Sequence, residues 1–150
     1  MRALLQRVAW AKVEVEGEVI GKIDKGIAIL LGVHEEDSEA EANFLAQKIA
    51  KLRIFQDSEG KMNLSIADTG GAFLVVSQFT LYADARKGNR PSYVHAARPD
   101  KGTALYEYFQ AALVKLGFKV ASGRFGADMK VSLLNDGPVT IFLDTKELKS

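Results

Sequence analysis

The sequence predicts a mixed α/β fold, a single domain in which sheets form a barrel-like β layer with two amphipathic helices packed on it. Two patterns carry this: apolar and polar residues alternate at both ends of the chain, and two internal segments repeat at helical spacing. Size agrees, since 150 residues with 47% hydrophobic content suit one compact core. Residues 1–150 are therefore read as one domain.

The elements follow in order. Residues 3–9 and 11–15 alternate, with Lys12, Glu14 and Glu16 opposite Ala11, Val13 and Val15. Glu16-Gly17-Glu18 reads as a tight turn into a second arm at 19–23, and Lys25-Gly26 turns into the nearly continuous apolar strand 27–33. Ser38 and Glu41 have the S-x-x-E form of a capping box. Behind them Ala40, Phe44, Leu45, Ile49 and Leu52 mark an amphipathic helix over 39–52. A strand at 52–55, a turn at 56–61 and a strand spanning 75–84 come next. The second helix follows "RPDKGT", capped by Asp100 or Thr103, with Leu105, Phe109, Ala112, Leu113 and Leu116 on one face and Gly117 ending it. Strands at 119–122, 129–134 and 139–144 complete the chain, with "KELKS" a frayed tail.

Composition excludes several classes of chemistry. Without cysteine there is no disulfide framework, thiolate metal site or cysteine nucleophile. His34 and His95 are far apart and neither sits in a metal-ligand spacing, so neither a metal nor a cofactor is expected. A net charge of +1 leaves nucleic-acid binding to a local patch. No apolar run is long enough for a membrane span, and the first ten residues alternate like a strand. A cytoplasmic protein without membrane association is expected.

Three segments carry polar groups that a core does not need. "VVSQFTLYAD", 75–84, places Ser77, Gln78 and Thr80 inside an apolar run. As a strand it would put Ser77, Phe79 and Leu81 on one face and Gln78, Thr80 and Tyr82 on the other. These residues suit either a solvated face or a strand end whose amides and hydroxyls hold an oxyanion. "NDGPVT", 135–140, is turn chemistry between two apolar strands: Gly137 tolerates positive φ and Pro138 lacks a donor, so a hairpin turn is expected. The third, "ARKGNRPSYVHAARPDK", offers Arg86, Lys87, Arg90, Arg98 and Lys101 against one acid, Asp100, with Tyr93 and His95 interleaved. It fits a solvated loop, or one that meets phosphates and a stacked base.

Together, "SQFTL" at 77–81 and N-x-G-P-x-T at 135–140 resemble the D-aminoacyl-tRNA deacylase family. The likeness extends to "QRV" at 6–8, "LRIF" at 52–55, "GKMNLS" at 60–65, "RKGNRPS" at 86–92 and the segment from Gly123, essentially the whole chain. It implies the fold of that family and a homodimeric hydrolase. Such an enzyme cleaves the ester between a D-amino acid, or glycine, and the terminal adenosine of tRNA, with no DNA partner. By resemblance Gly137-Pro138 is a cis peptide that enters the partner subunit's pocket and excludes L-amino acids. Arg7 braces that motif, and Asn135 and Thr140 belong to it. Ser77, Gln78, Phe79 and Thr80 wall the pocket, with the Phe79 and Thr80 amides on adenosine or the oxyanion. Phe125 and Met129 lie beside it by the same resemblance, while by type both also fit as ordinary core residues, and Arg86, Lys87 and above all Arg90 meet tRNA phosphates. Thr80 has no base near it in sequence to make it a nucleophile, so water, or the 2′-hydroxyl of the tRNA, is expected to act. Relatives often carry Phe where Tyr93 stands. Two rival readings are an adenosine-binding module and a generic esterase; either would show little preference for the D over the L hand.

Overall fold

A computed structural model describes all 150 residues, Met1–Ser150. Its axis is the long strand β1 (Arg2–Val15). On one side β1 pairs antiparallel first with β3 (Gly26–Gly32) and then with β2 (Glu18–Ile23). On the other side β8 (Lys130–Asp144) runs antiparallel along nearly all of it. Strand β6 (Ala72–Ser77) lies parallel to β3, and β7 (Val120–Ser122) lies parallel to β6. The order is β2-β1-β3-β6-β7, with β8 added at β1. The ends of this sheet almost meet, because a Cβ on Gly21 of β2 would stand 2.5 Å from the Ser122 carbonyl oxygen of β7. Only a residue without a side chain permits that approach. The barrel-like layer expected from sequence is thus nearly closed.

Helices α1 (Glu39–Lys51) and α3 (Pro99–Lys115) cover one face of the sheet. They bury Leu45, Ala46, Ile49, Leu105, Phe109 and Leu113 against Ile27, Ile29, Leu31, Phe73 and Val75. Each such large side chain contributes roughly 1.5–3 kcal/mol when removed from water. The opposite face gathers a smaller cluster of Val8, Ala11, Val13, Ile23, Ala28, Leu74 and Val76; β1 buries alternate residues at both ends, as its alternation predicts, and breaks the pattern between Arg7 and Trp10, where two buried residues precede two exposed ones. The capping box is present: the Ser38 Oγ accepts from the Ala40 N–H, and Glu41 reaches back to the Ser38 N–H at 2.7 Å.

Several local expectations are corrected. The buried face of α1 is Ala42, Leu45, Ala46 and Ile49, with Ala40 exposed and Leu52 already extended at the C-cap. Helix α3 starts at Pro99 behind Arg98, because proline suits the first turn, where no donor is required. Asp100 and Thr103 therefore lie inside the helix and cap nothing, and Leu116 is 45% exposed. Gly117 does end the helix at φ +99°. The strand expected at 52–55 shrinks to β4 (Phe55–Gln56), paired with β5 (Met62–Leu64) ahead of the short α2 (Ile66–Thr69). Most of the final residues form α4 (Thr145–Leu148) instead of fraying, with Thr145 buried.

Candidate active site

The strand expected to run to residue 84 ends at Ser77. A 3-10 helix, Phe79–Tyr82, follows, so the expected alternation of faces beyond Ser77 does not exist. Gly32 makes room for the bend: a Cβ there would lie 3.1 Å from the Gln78 carbonyl oxygen and equally close to the Leu81 side chain. The Gln78 N–H is fixed on the Leu31 carbonyl at 2.8 Å, and the Leu81 N–H on the Gln78 carbonyl at 3.2 Å. From the far side Arg2 Nη1 donates to the Leu81 carbonyl at 2.8 Å while its Nε holds Asp144 at 2.9 Å. Between these anchors the Phe79 and Thr80 N–H groups have no hydrogen-bond partner in the chain. The first amides of any helix lack an internal acceptor. Here both belong to exposed residues, Phe79 being 55% accessible. The Thr80 hydroxyl takes one side-chain partner, the Gln78 amide nitrogen. No imidazole, amine or carboxylate bonds it.

The 135–140 segment is not a hairpin turn. Gln6 pairs with Thr140 and Val8 with Asn135, so β1 continues past and one residue, Arg7, faces the four residues from Asp136 to Val139. This excursion is a bulge in one continuous strand, and it contains the cis Gly137-Pro138 bond that local composition gave no reason to expect. Asn135 clamps its mouth, donating to the Thr140 hydroxyl at 2.9 Å and accepting from the Val139 N–H at 3.1 Å. Arg7 lies beneath, buried at 6% exposure. Its Nε donates to the Asp136 carbonyl at 2.9 Å and its Nη1 to the Ile54 carbonyl at 2.8 Å. Gly137 has φ +133°, and a Cβ there would stand 2.8 Å from the Arg7 guanidinium. Gly137 and Pro138 are exposed, and no hydrogen bond joins them to Ser77–Thr80.

The remaining expected residues fall into two groups. Phe125 packs over Gly102 and beside Tyr106, their ring centroids 5.9 Å apart, and helps to line a cleft of about 340 Å³ with Ser122 and Gly123. Met129 touches Gly123 and the Val8–Ala28 cluster. The Gly123 N–H donates to Val75 in β6, two residues before Ser77, so this cleft borders the strand that leads into the 3-10 helix. In the basic loop, Lys87 and Arg90 are exposed and without partners. Arg86 grips Asp84 in a fork of 2.7 and 2.9 Å, which holds the Asp84 carboxyl down at about 2 and raises the guanidinium. Arg86 therefore offers the weaker hold on a phosphate.

Sequence reasoning missed one contributor, Gln6, and one contact, that of Tyr93 with Phe79. Gln6 donates to the Thr140 hydroxyl at 3.3 Å, and its polar position on an alternating strand was the available signal. Tyr93 meets Phe79 edge to face at 5.0 Å, a contact across a loop that no local pattern reports. A cleft of about 610 Å³ lies elsewhere, around Arg2, His34, Asp37, Tyr82 and Asp84, and includes only Arg86 among the expected residues.

A nearly closed sheet and two donors free at the start of a bend suit the hydrolysis of an activated ester, and the comparisons with known proteins place the chain in the deacylase class. The family model for D-Tyr-tRNA(Tyr) deacylase matches residues 4–144, and the chain belongs to that family. A D-aminoacyl-tRNA deacylase of Lacticaseibacillus casei (strain BL23) is 58% identical over 97% of this chain and 99% of its own length. One from Thermus aquaticus is 57% identical over 98% and 97%. Among solved structures, the c-Myc DNA Unwinding Element Binding Protein superposes with a TM-score of 0.90 at 40% identity, covering 96% of this chain and 98% of its own. A probable eukaryotic D-amino acid tRNA deacylase shares the fold at TM-score 0.82 with 17% identity, over 95% and 97%.

Proposed function

We propose that the protein hydrolyses the ester joining a D-amino acid, or glycine, to the 3′-terminal adenosine of tRNA, as a cytoplasmic homodimer. The observation that carries this is the pair of unpartnered amides at Phe79 and Thr80. When water attacks the ester carbonyl, negative charge gathers on its oxygen, and preorganised N–H groups stabilise that charge at no reorganisation cost. Collapse breaks the bond to the ribose oxygen, which takes up a proton; free amino acid and tRNA leave. Aminoacyl esters are already activated, so positioning and the oxyanion donors suffice. The neighbouring 2′-hydroxyl of the tRNA is the natural group to relay the proton, because Thr80 has only an amide nitrogen on its oxygen.

Selection of the hand is assigned to the bulge at Gly137 and Pro138. This surface is mostly main chain, with no side chain at Gly137, and a backbone wall rejects the wrong hand without reading the side chain. Its exposure, and the lack of a bond to Ser77–Thr80 within one chain, support a site completed by a second copy. Exposed Trp10, Val131, Leu134 and Phe142 along β1 and β8 supply apolar surface for that association. Lys87 and Arg90 supply uncompensated charge for the phosphates.

The test is deacylation of matched D- and L-tyrosyl-tRNA. Release of the D-ester alone is expected. Equal rates for both hands would instead favour a generic esterase, and binding without turnover an adenosine-binding module. Thr80→Ala should retain turnover, losing about fivefold, the worth of one neutral hydrogen bond. A collapse of about a million-fold, as when a true nucleophile is removed, would return Thr80 to that role. Sedimentation of the same sample reports the dimer.

A further inference from the structure

We propose that His34, His95 and Glu35 form a site for one divalent transition-metal ion of the kind imidazole selects, such as zinc, nickel or cobalt. The fold brings together what the sequence keeps far apart. Ligand atoms of all three side chains lie within 4.8 Å of one another, and the two imidazole centroids are 6.0 Å apart.

The backbone beneath them is fixed. His34 and Ala96 form an antiparallel bridge, the Glu35 N–H donates to the His95 carbonyl at 3.0 Å, and the Ala97 N–H donates to the Val33 carbonyl at 2.9 Å. One imidazole is already oriented. The His34 Nδ1 accepts from the Glu36 N–H at 3.0 Å, and Tyr82 meets the ring edge on at 5.2 Å. With Nδ1 accepting, the ring's one proton sits on Nε2, so ligation through Nε2 requires that proton to move to Nδ1 as the bond from the Glu36 N–H breaks.

Ligands to zinc stand about 3.3 Å apart in a tetrahedral site. The longest side of the triangle, no more than 4.8 Å, must therefore contract by up to about 1.5 Å, which rotation of the more exposed pair supplies. The Glu35 and His95 side chains are both 49% accessible, and a Glu35 oxygen is 3.8 Å from the His95 Nδ1. Charge around the site is mixed. Glu36, Asp37 and Asp84 line the adjoining cleft; Glu36 favours a cation, while Asp37 is already paired with the Met1 ammonium at 2.8 Å. Arg86 neutralises Asp84, and Lys101, which donates to the Glu35 carbonyl, opposes it. Two imidazoles and one carboxylate suit a borderline-soft ion and not magnesium. Bound there, the ion would clip the basic loop 84–98 onto the turn between β3 and α1, which makes it a positional site and not a reacting one.

Cobalt(II) titration of the whole protein, followed by visible absorption, tests this independently of the deacylase reading. One equivalent should bind, be displaced by zinc and be unaffected by magnesium. His34→Ala and His95→Ala should each weaken binding by more than the roughly 10–100-fold that outer-shell changes cost, with Glu35→Gln intermediate. Zinc should raise the melting temperature of the wild type and of neither histidine variant. His95 is exposed, so His95→Ala serves as the variant that leaves the metal-free fold intact. Failure of the wild type to take up cobalt, or uptake by both histidine variants as tight as that of the wild type, would overturn the site.

Discussion

Arg7 carries a permanent charge into the interior and meets only carbonyl oxygens, those of Ile54 and Asp136. Hydrogen bonds from a charged donor are worth about 1.5–3 kcal/mol each. Arg7→Met, which keeps the length and removes every donor, should therefore lower stability by about 2–4 kcal/mol in urea unfolding. Arg7→Lys should recover only part of the loss, because one ammonium cannot span two acceptors as a guanidinium fork does. Tyr93 carries a different kind of prediction. Its edge-to-face contact with Phe79 leaves both rings accessible beside the proposed site, at 37% and 55%. Stacking of an unpaired base on an aromatic ring contributes about 1–3 kcal/mol. Tyr93→Ala should raise the KM for aminoacyl-tRNA while leaving a bare aminoacyl-adenosine unchanged, and Tyr93→Phe should behave as wild type. An equal effect on both substrates would put Tyr93 against the terminal adenosine or the reacting ester and not against the bases before it.

At the scale of elements, α1 depends on its capping box. The Ser38 hydroxyl, bonded at 2.6 Å, is the main reason the Glu41 carboxyl sits at about 2, with backbone bonds and Lys149 adding to it and slight burial opposing. A carboxyl depressed by folding stabilises the helix above its unfolded pKa of about 4.3, and the contribution fades as pH falls towards about 2. Ser38→Ala should cost about 1 kcal/mol at neutral pH, and an NMR titration should find Glu41 moved up towards the ordinary carboxylate range. An unmoved Glu41 would mean that the backbone bonds alone hold it. This box was legible in sequence because its partners are three residues apart. So were β1, β3 and the apolar face of α3, whose periods are local. The 3-10 bend after Ser77 was not legible, since it depends on Gly32 and Arg2 reaching in from other strands. The bulge at 136–139 and a hairpin turn use the same residues. What decides between them is that both flanks pair with β1, a partner more than a hundred residues away. The triad of His34, Glu35 and His95 was hidden for the same reason.

For the whole molecule, the near closure of the sheet rests on Gly21 against Ser122. Gly21→Val cannot keep that contact, and forcing side-chain volume into such a junction costs about 1–3 kcal/mol. Hydrogen exchange should then accelerate in β2 and β7 ahead of β3 and β6; uniform acceleration would show that the junction is not an independent seam. The opposite border of the sheet is β8, bonded only to β1, which leaves a long row of backbone donors and acceptors facing outward. Such a border can template the growth of fibrils. The bulge interrupts the row near its middle, Pro138 has no N–H to offer there, and Asn135 turns its own side chain back onto Thr140 and Val139. The excursion opposite Arg7 is therefore also a guard against aggregation. Concentrated solutions should remain clear where a version with the bulge trimmed to a regular strand would bind thioflavin.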